Sequence, residues 1–229
     1  MMRLLDDLGP AAILFLVYFL VAIPLAVLRR RGTGPEPDPS KRRQHYQRVI
    51  VQLALFGALS GLVAWRNRLA LAGLPREPLW TWAAAAALVG LFFLATAPYR
   101  RLRVARGDRR ALMTAPGPGD VPWWAAVSLA AGVAEELTYR GVASTLLLLA
   151  GIPAVAVVLV VSAAFGLAHA LRGWAHVGVT FAIGALLHVL VLASGSLWPA
   201  MAVHAVYDFL AGLSYSRLVR RAAAAAATV

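Results

Sequence analysis

The chain has 229 residues, of which 61% are hydrophobic and only 14% are charged. This composition excludes a soluble domain and indicates an integral membrane protein. Its formal net charge of +12 is better explained by basic loops between spans than by nucleic-acid binding. The absence of cysteine excludes disulfides, thiolate nucleophiles and cysteine metal sites.

Seven apolar stretches follow one another along the chain and predict membrane-spanning helices. Each approaches the roughly 20 residues that cross a bilayer. In chain order they cover residues 11–28, 49–65, 79–98, 123–140, 153–170, 174–193 and 198–213. Residues 141–150 either extend the fourth span or form an eighth segment. The predicted fold class is therefore all-α, a polytopic membrane helix bundle of seven or eight spans.

The loops between these spans predict the topology. Residues 29–48 carry seven basic side chains and residues 100–110 carry six, whereas residues 66–76 carry three. Because the more basic loops usually face the cytoplasm, we expect a cytoplasmic C-terminus and an N-terminus outside. Asp6, Asp7 and the lack of an A-x-A cleavage site indicate that the first span is retained and is not a signal peptide.

One stretch places ionisable groups inside apolar sequence: Glu135, Glu136 and Arg140. Such groups at membrane depth are costly and usually mark a functional site facing a bundle interior. Glu136 and Arg140 are i and i+4 with the acid first, the favourable order for a helical ion pair. Glu135 lies about 100° around the helix and has no cation on its own face. The spacing predicts one paired carboxylate and one free for chemistry; the alternative is that all three charges only stabilise the fold.

Further polar residues lie in the later spans. His169 shares a helix face with Phe165, four residues earlier, and taken alone is more typical of a protein core. His204 and Asp208 are also i and i+4, and a carboxylate one turn from an imidazole can fix its tautomer. With no serine–histidine pattern, aspartate dyad or cysteine, the chemistry left is water activated by a carboxylate or by a metal. The remaining polar residues are interpreted as interfacial or structural: Arg172, His176 and His188.

Together these motifs resemble those of the CAAX protease and bacteriocin-processing (CPBP) family of intramembrane proteases, which includes the type 2 CAAX prenyl proteases. The motifs of that family are EExxxR, FxxxH and HxxxN or HxxxD. They occur here in the same order as Glu135–Arg140, Phe165–His169 and His204–Asp208, so the resemblance covers about residues 123–213. Asp208 stands where the prenyl-protein enzymes carry asparagine.

The resemblance implies a glutamate-dependent endopeptidase with its site inside the membrane. It implies that Glu135 is the base that activates water and that His169 is its partner. His204 and Asp208 complete the catalytic set, and the supporting residues are Glu136, Arg140 and Phe165. The expected partners are the lipid bilayer and a membrane-embedded or membrane-associated peptide or protein substrate, with no nucleic acid and no cofactor.

Three alternatives remain open at this stage. A zinc-dependent protease could use Glu135, His169 and His204 as two histidine ligands and one carboxylate, although no HExxH motif is present. A non-catalytic immunity or scaffold protein could keep the same fold, but a binder would not need an unpaired Glu135. A transporter is the third and most distant alternative.

The resemblance also suggests how the chain is divided and where it works. Residues 1–110 would hold the N-terminal spans and basic cytoplasmic loops, residues 111–216 the catalytic helical core, and residues 217–229 a basic, alanine-rich tail that we expect to fray. The alanine- and arginine-rich composition is typical of a high-GC bacterium. We therefore expect the bacterial cytoplasmic membrane as the location and do not expect a prenylated substrate.

The positions of the two motif histidines pose a geometric difficulty. His169 lies roughly 24 Å along its span from Pro153, and His204 lies roughly 9 Å along its span from Trp198. In a simple up-and-down bundle these two depths are near opposite faces of the membrane. A shared site therefore requires helices that tilt, break or end early, and we predict a non-ideal bundle that encloses a polar cavity.

Overall fold

The computed structural model describes residues 8–31, 38–71 and 78–227. These residues are mostly helical, and the described ranges contain no strand. In chain order the helices are α1 (Pro10–Arg30), α2 (Pro39–Arg66), α3 (Leu79–Ala105), α4 (Arg109–Met113), α5 (residues 121–149), α6 (Ala154–Ala168), α7 (Trp174–Ser194) and α8 (Trp198–Ala226). The predicted all-α polytopic bundle is confirmed.

Each of the seven predicted apolar stretches is helical in the structure. By length and composition, α1, α2, α3 and α7 could each cross a membrane. Residues 141–149 continue α5 and do not turn back as a separate segment. The charge count that predicted the topology includes Arg76, and the signal-peptide argument uses Asp6 and Asp7; these residues lie outside the described ranges.

Several predicted boundaries were wrong because polar, arginine-rich sequence continues helices beyond the membrane-length apolar stretch. The predicted loop at 29–48 includes the start of α2, and the predicted loop at 99–121 includes the end of α3 and all of α4. The alanine-rich tail expected to fray is helical as far as Ala226. Alanine and arginine are both strong helix formers, which explains these extensions.

Helix α5 lies between α2 and α8 and carries the ionisable motif. Small residues let its neighbours approach closely. An ideal Cβ on Gly132 would lie 2.8 Å from both the Ala205 Cβ and the Met201 carbonyl oxygen of α8. On the α2 side, a Cβ on Gly57 would lie 3.5 Å from the Ala134 Cβ. Close packing of this kind is typical of helix pairs in membranes.

The early end of α6 explains how the motif histidines reach one region. This helix has 15 residues, Ala154–Ala168, and so is about 22 Å long, which is shorter than the roughly 30 Å hydrocarbon core. Its end, which carries His169, therefore need not reach the membrane surface. A 3₁₀ turn, Ala170–Arg172, and Gly173 with φ of 103° then reverse the chain into α7.

The middle of α5 departs from α-helical geometry. Val121–Glu136 is α-helical, Leu137–Ala143 is π-helical and Ser144–Leu149 is α-helical again. In this wider turn the Tyr139 carbonyl oxygen accepts a hydrogen bond from Ser144 Oγ at 2.7 Å. π-Helical stretches are rare in proteins, and those that occur are often found at functional sites. Here it directly follows Glu135 and Glu136.

We expect Gly132→Ala to destabilise the protein, because the added methyl group would overlap α8. Overpacking of this kind typically costs about 1–3 kcal/mol, which would appear as a lower Tm in detergent. Gly90→Ala in α3 is the matched control, because a Cβ there meets nothing within 4 Å. Equal Tm values for the two variants would contradict the close contact between α5 and α8.

Candidate active site

Glu136 and Arg140 form a fully buried ion pair on α5. Glu136 Oε1 accepts a hydrogen bond from Arg140 Nη1 at 3.0 Å, and both side chains have no exposed surface. The guanidinium carbon lies 4.4 Å from the centroid of the Phe165 ring, within cation–π range. The pair predicted from the i, i+4 spacing is therefore present, and Phe165 of α6 covers its cation.

His204 joins α8 to the same carboxylate. Its Nδ1 lies 2.8 Å from Glu136 Oε1, and since a carboxylate paired with arginine only accepts, Nδ1 carries the proton and donates it. The sequence assigned this tautomer-fixing role to Asp208. In the structure Glu136 holds Nδ1, and Asp208 faces the other nitrogen of the ring.

The other nitrogen of His204 faces two further carboxylates. Nε2 lies 3.6 Å from Glu135 Oε2 and 3.7 Å from Asp208 Oδ2. Both distances are too long for direct hydrogen bonds, but at this range a water molecule can bridge the groups. Two helices thus bring Glu135, His204 and Asp208 to one point.

The two adjacent glutamates differ in accessibility. The side chain of Glu136 is fully buried, whereas 19% of the Glu135 side chain and 34% of the Asp208 side chain are exposed. The rotation of about 100° between adjacent helical residues turns Glu135 away from the ion pair. It is the carboxylate that an entering molecule can reach.

His169 lies beside the same phenylalanine as His204. Its ring centroid is 4.8 Å from that of Phe165, and the His204 centroid is 6.0 Å from it. The two imidazoles are therefore no farther apart than the sum of these distances. His169 Nδ1 donates to the Phe165 carbonyl oxygen at 2.8 Å, which leaves its Nε2 free to accept. Its expected partnership with Glu135 stays a prediction, as does the enclosing polar cavity.

The zinc alternative depends on a ligand set that the described residues do not supply. In the described part of the chain, no group of three or more histidine, aspartate or glutamate side chains is arranged to hold a metal ion. The set considered from the sequence was Glu135, His169 and His204. The expectation that the site needs no metal stays a prediction.

The sequence gave no role in the site to Tyr139 or to His188, and the structure places both near the pair. Tyr139 packs its ring 5.1 Å from Phe165 and 6.2 Å from Phe19 of α1. His188 of α7 is only 1% exposed, and the charges of Arg140 and Glu136 act on it. The position of His188 in the sequence gave no signal of this, because His188 lies on another helix, 48 positions after Arg140.

We expect Arg140→Ala to lower both the Tm and the amount of protein in the membrane. Removing one partner of a buried pair leaves the other charge uncompensated, which typically costs about 3–5 kcal/mol. Arg101→Ala is the control, because Arg101 is an exposed arginine of α3. Normal accumulation of Arg140→Ala with loss of function would instead indicate that Arg140 contacts substrate.

Comparison with known proteins bears on the segment that contains the site. Residues 117–210 match the family model described as type II CAAX prenyl endopeptidase Rce1-like. This segment includes all the predicted site residues and runs from the turn before α5 into α8. No curated protein and no solved structure matches the chain. The resemblance seen in the motifs is confirmed over residues 117–210, which are similar to the type II CAAX prenyl endopeptidase Rce1-like family.

Proposed function

We propose that the protein is an intramembrane endopeptidase in which Glu135 activates water to cleave a peptide or protein substrate at the membrane. The observation that carries this proposal is the convergence of Glu135 Oε2 and Asp208 Oδ2 on His204 Nε2, at 3.6 and 3.7 Å. A carboxylate is a candidate general base when it lies within reach of a water molecule and a second group orients that water.

The two glutamates divide the work. Glu136 is occupied, because its Oε1 already accepts from Arg140 and His204. Glu135 is not bound to the arginine and is partly exposed. As water attacks the scissile carbonyl carbon, Glu135 accepts its proton and a tetrahedral oxyanion forms. When the C–N bond breaks, that proton passes to the leaving nitrogen, which releases a carboxylic acid and an amine and returns Glu135 to its ionised form.

The histidines and Asp208 serve the water and the oxyanion. Fixed donors aimed at developing charge are a major source of rate enhancement. His204 is fixed at Nδ1 by Glu136, so its Nε2 keeps a constant direction toward the reacting atoms. His169 donates from Nδ1 to the Phe165 carbonyl, so its Nε2 is an acceptor that can hold the attacking water. Asp208, one turn from His204, orients the water together with Glu135.

The wider setting is also part of the proposal. The substrate is a membrane-embedded or membrane-associated peptide or protein segment, and the enzyme acts in the cytoplasmic membrane of a bacterium. The excess of basic residues at 29–48 and 100–110 favours a cytoplasmic C-terminus. Residues 111–216 form the catalytic core, with residues 1–110 as supporting spans and residues 217–229 as a tail.

We expect Glu135→Gln to abolish cleavage while the protein accumulates normally. The amide cannot accept the proton of water, a loss of at least about 100-fold for a general base, and the change leaves the Glu136–Arg140 pair intact. The measurement is a peptidomic comparison of membranes from cells with either form. Asp120→Asn is the matched control, since Asp120 lies outside the site beside Arg42 and Arg43. An unchanged peptide profile and phenotype for Glu135→Gln would favour the non-catalytic scaffold.

Chelation should leave the activity of the purified enzyme intact, because Glu135 activates water directly. Activity should fall at acid pH, since a base must be ionised to work.

His169→Ala and His204→Ala should each lose most of the cleavage rate, and the double variant should lose little more, because the effects of residues that act as a unit are not additive. Loss of activity with EDTA or phenanthroline, and its return with added zinc, would overturn the metal-free activation of water by Glu135.

A further inference from the structure

Buried polar atoms without a hydrogen-bond partner are concentrated beside the Glu136–Arg140 pair. Eight such side-chain atoms occur in the described residues. Five of them belong to the pair and its surroundings: Glu136 Oε2, Arg140 Nε, Arg140 Nη2, Ser162 Oγ and His188 Nδ1. Because folded proteins leave few buried polar groups unpaired, five in one region require a physical cause.

Gly184 of α7 shows that Arg140 and Ser162, which carry three of these atoms, lie together. An ideal Cβ on Gly184 would lie 2.7 Å from Arg140 Nη2 and 3.7 Å from the Ser162 Cβ. Arg140 and Ser162 therefore approach the same point of α7 from α5 and α6. His188 follows one helical turn later, about 6 Å along α7, and is 1% exposed. Helices α5, α6 and α7 thus each contribute side chains to this region, and the charges of Arg140 and Glu136 act on His188.

The chemistry of the five atoms selects the molecule that would satisfy them. The two arginine nitrogens only donate hydrogen bonds and the ionised glutamate oxygen only accepts, whereas serine and histidine can do either. An anion here would meet the Glu136 charge and a cation would meet the Arg140 charge, both at low dielectric. Water both donates and accepts, and buried water typically makes about three such bonds.

We propose that Ser162, His188 and the outer atoms of the Glu136–Arg140 pair form a binding site for ordered water, through which Ser162 and His188 position His204. Water bound at Glu136 Oε2 prevents the carboxylate from rotating. Its other oxygen, Oε1, then keeps its direction toward His204 Nδ1, 2.8 Å away. The water site is independent of any reaction, while its effect on catalysis rests on the proposed function.

A structure of the full chain in a lipidic phase, at a resolution that resolves water, tests the site directly. We expect water within about 3.2 Å of Glu136 Oε2 and of Ser162 Oγ or His188 Nδ1. Direct contacts among the five atoms with no water between them, or a bound ion in their midst, would overturn the proposal.

Nuclear magnetic resonance of the protein labelled with ¹⁵N-histidine tests the link to His204, since the chain has five histidines. Ser162→Ala and His188→Gln should each shift the His204 signals and leave those of His45 in place. The matched control is Ser216→Ala, which removes a serine hydroxyl bonded to the Pro116 carbonyl. Unmoved His204 signals in Ser162→Ala would refute the positioning role even if His188→Gln failed to fold.

Thermal unfolding supplies a second and independent test. If Ser162 and His188 share water, the decrease in Tm of the double variant should be smaller than the sum of the decreases in the two single variants, because the effects of coupled sites are not additive. Ser162→Ala combined with Ser216→Ala should be additive, and additivity in both pairs would contradict a shared site. Neither test measures cleavage. An active Glu135→Gln together with coupled Ser162 and His188 would therefore overturn the proposed function alone.

Discussion

A single buried oxygen, Glu136 Oε1, joins the two helices on which the site is built. It accepts hydrogen bonds from Arg140 on its own helix at 3.0 Å and from His204 on α8 at 2.8 Å. Removing two charges from water is costly, and the mutual attraction offsets this only when geometry is good and further hydrogen bonds satisfy the ions. The closeness of α5 and α8 at Gly132 is what brings His204 within reach.

The same arrangement separates the two glutamates in role. Glu136 is held from both sides, whereas Glu135 is turned by about 100° around α5 toward its more open side, where Oε2 lies 3.6 Å from His204 Nε2. Asp208 reaches that nitrogen from α8. One imidazole therefore stands between a buried carboxylate that fixes it and two accessible carboxylates that share its outer face. A catalytic group held by neighbours that are themselves fixed keeps a constant geometry.

Helices outside the family-matched segment complete its packing. Phe19 of α1 contacts Tyr139, and Ser60 of α2 shares a hydrogen bond with Thr138 at 2.8 Å. On the other side, Arg100 of α3 is buried and hydrogen-bonds to Ser214 of α8 at 3.3 Å. The first three helices thus cover α5 and α8 on faces that would otherwise expose polar groups to lipid, where unpaired groups are costly.

The sequence by itself determined the helical class, the approximate positions of the apolar helices, the Glu136–Arg140 pair and the resemblance to the matched family. These follow from local rules: apolar length, the i, i+4 spacing and the order of three short motifs. Helix ends were missed where alanine and arginine continue a helix beyond the apolar stretch, as in α3 and α8. Hydropathy marks membrane depth, but it does not mark where backbone hydrogen bonding stops.

Only the tertiary structure decided which carboxylate holds His204, how His169 approaches it and that His188 belongs to the surroundings of the pair. Each of these contacts joins different helices, and its distance depends on how helices cross and how early they end. Spacing along one helix suggested Asp208 as the partner of His204, whereas packing of α5 against α8 placed Glu136 at Nδ1. A sequence lists the groups that can interact, but the choice among them is made by the close approach of helix surfaces, which depends on residues such as Gly132 and Gly184.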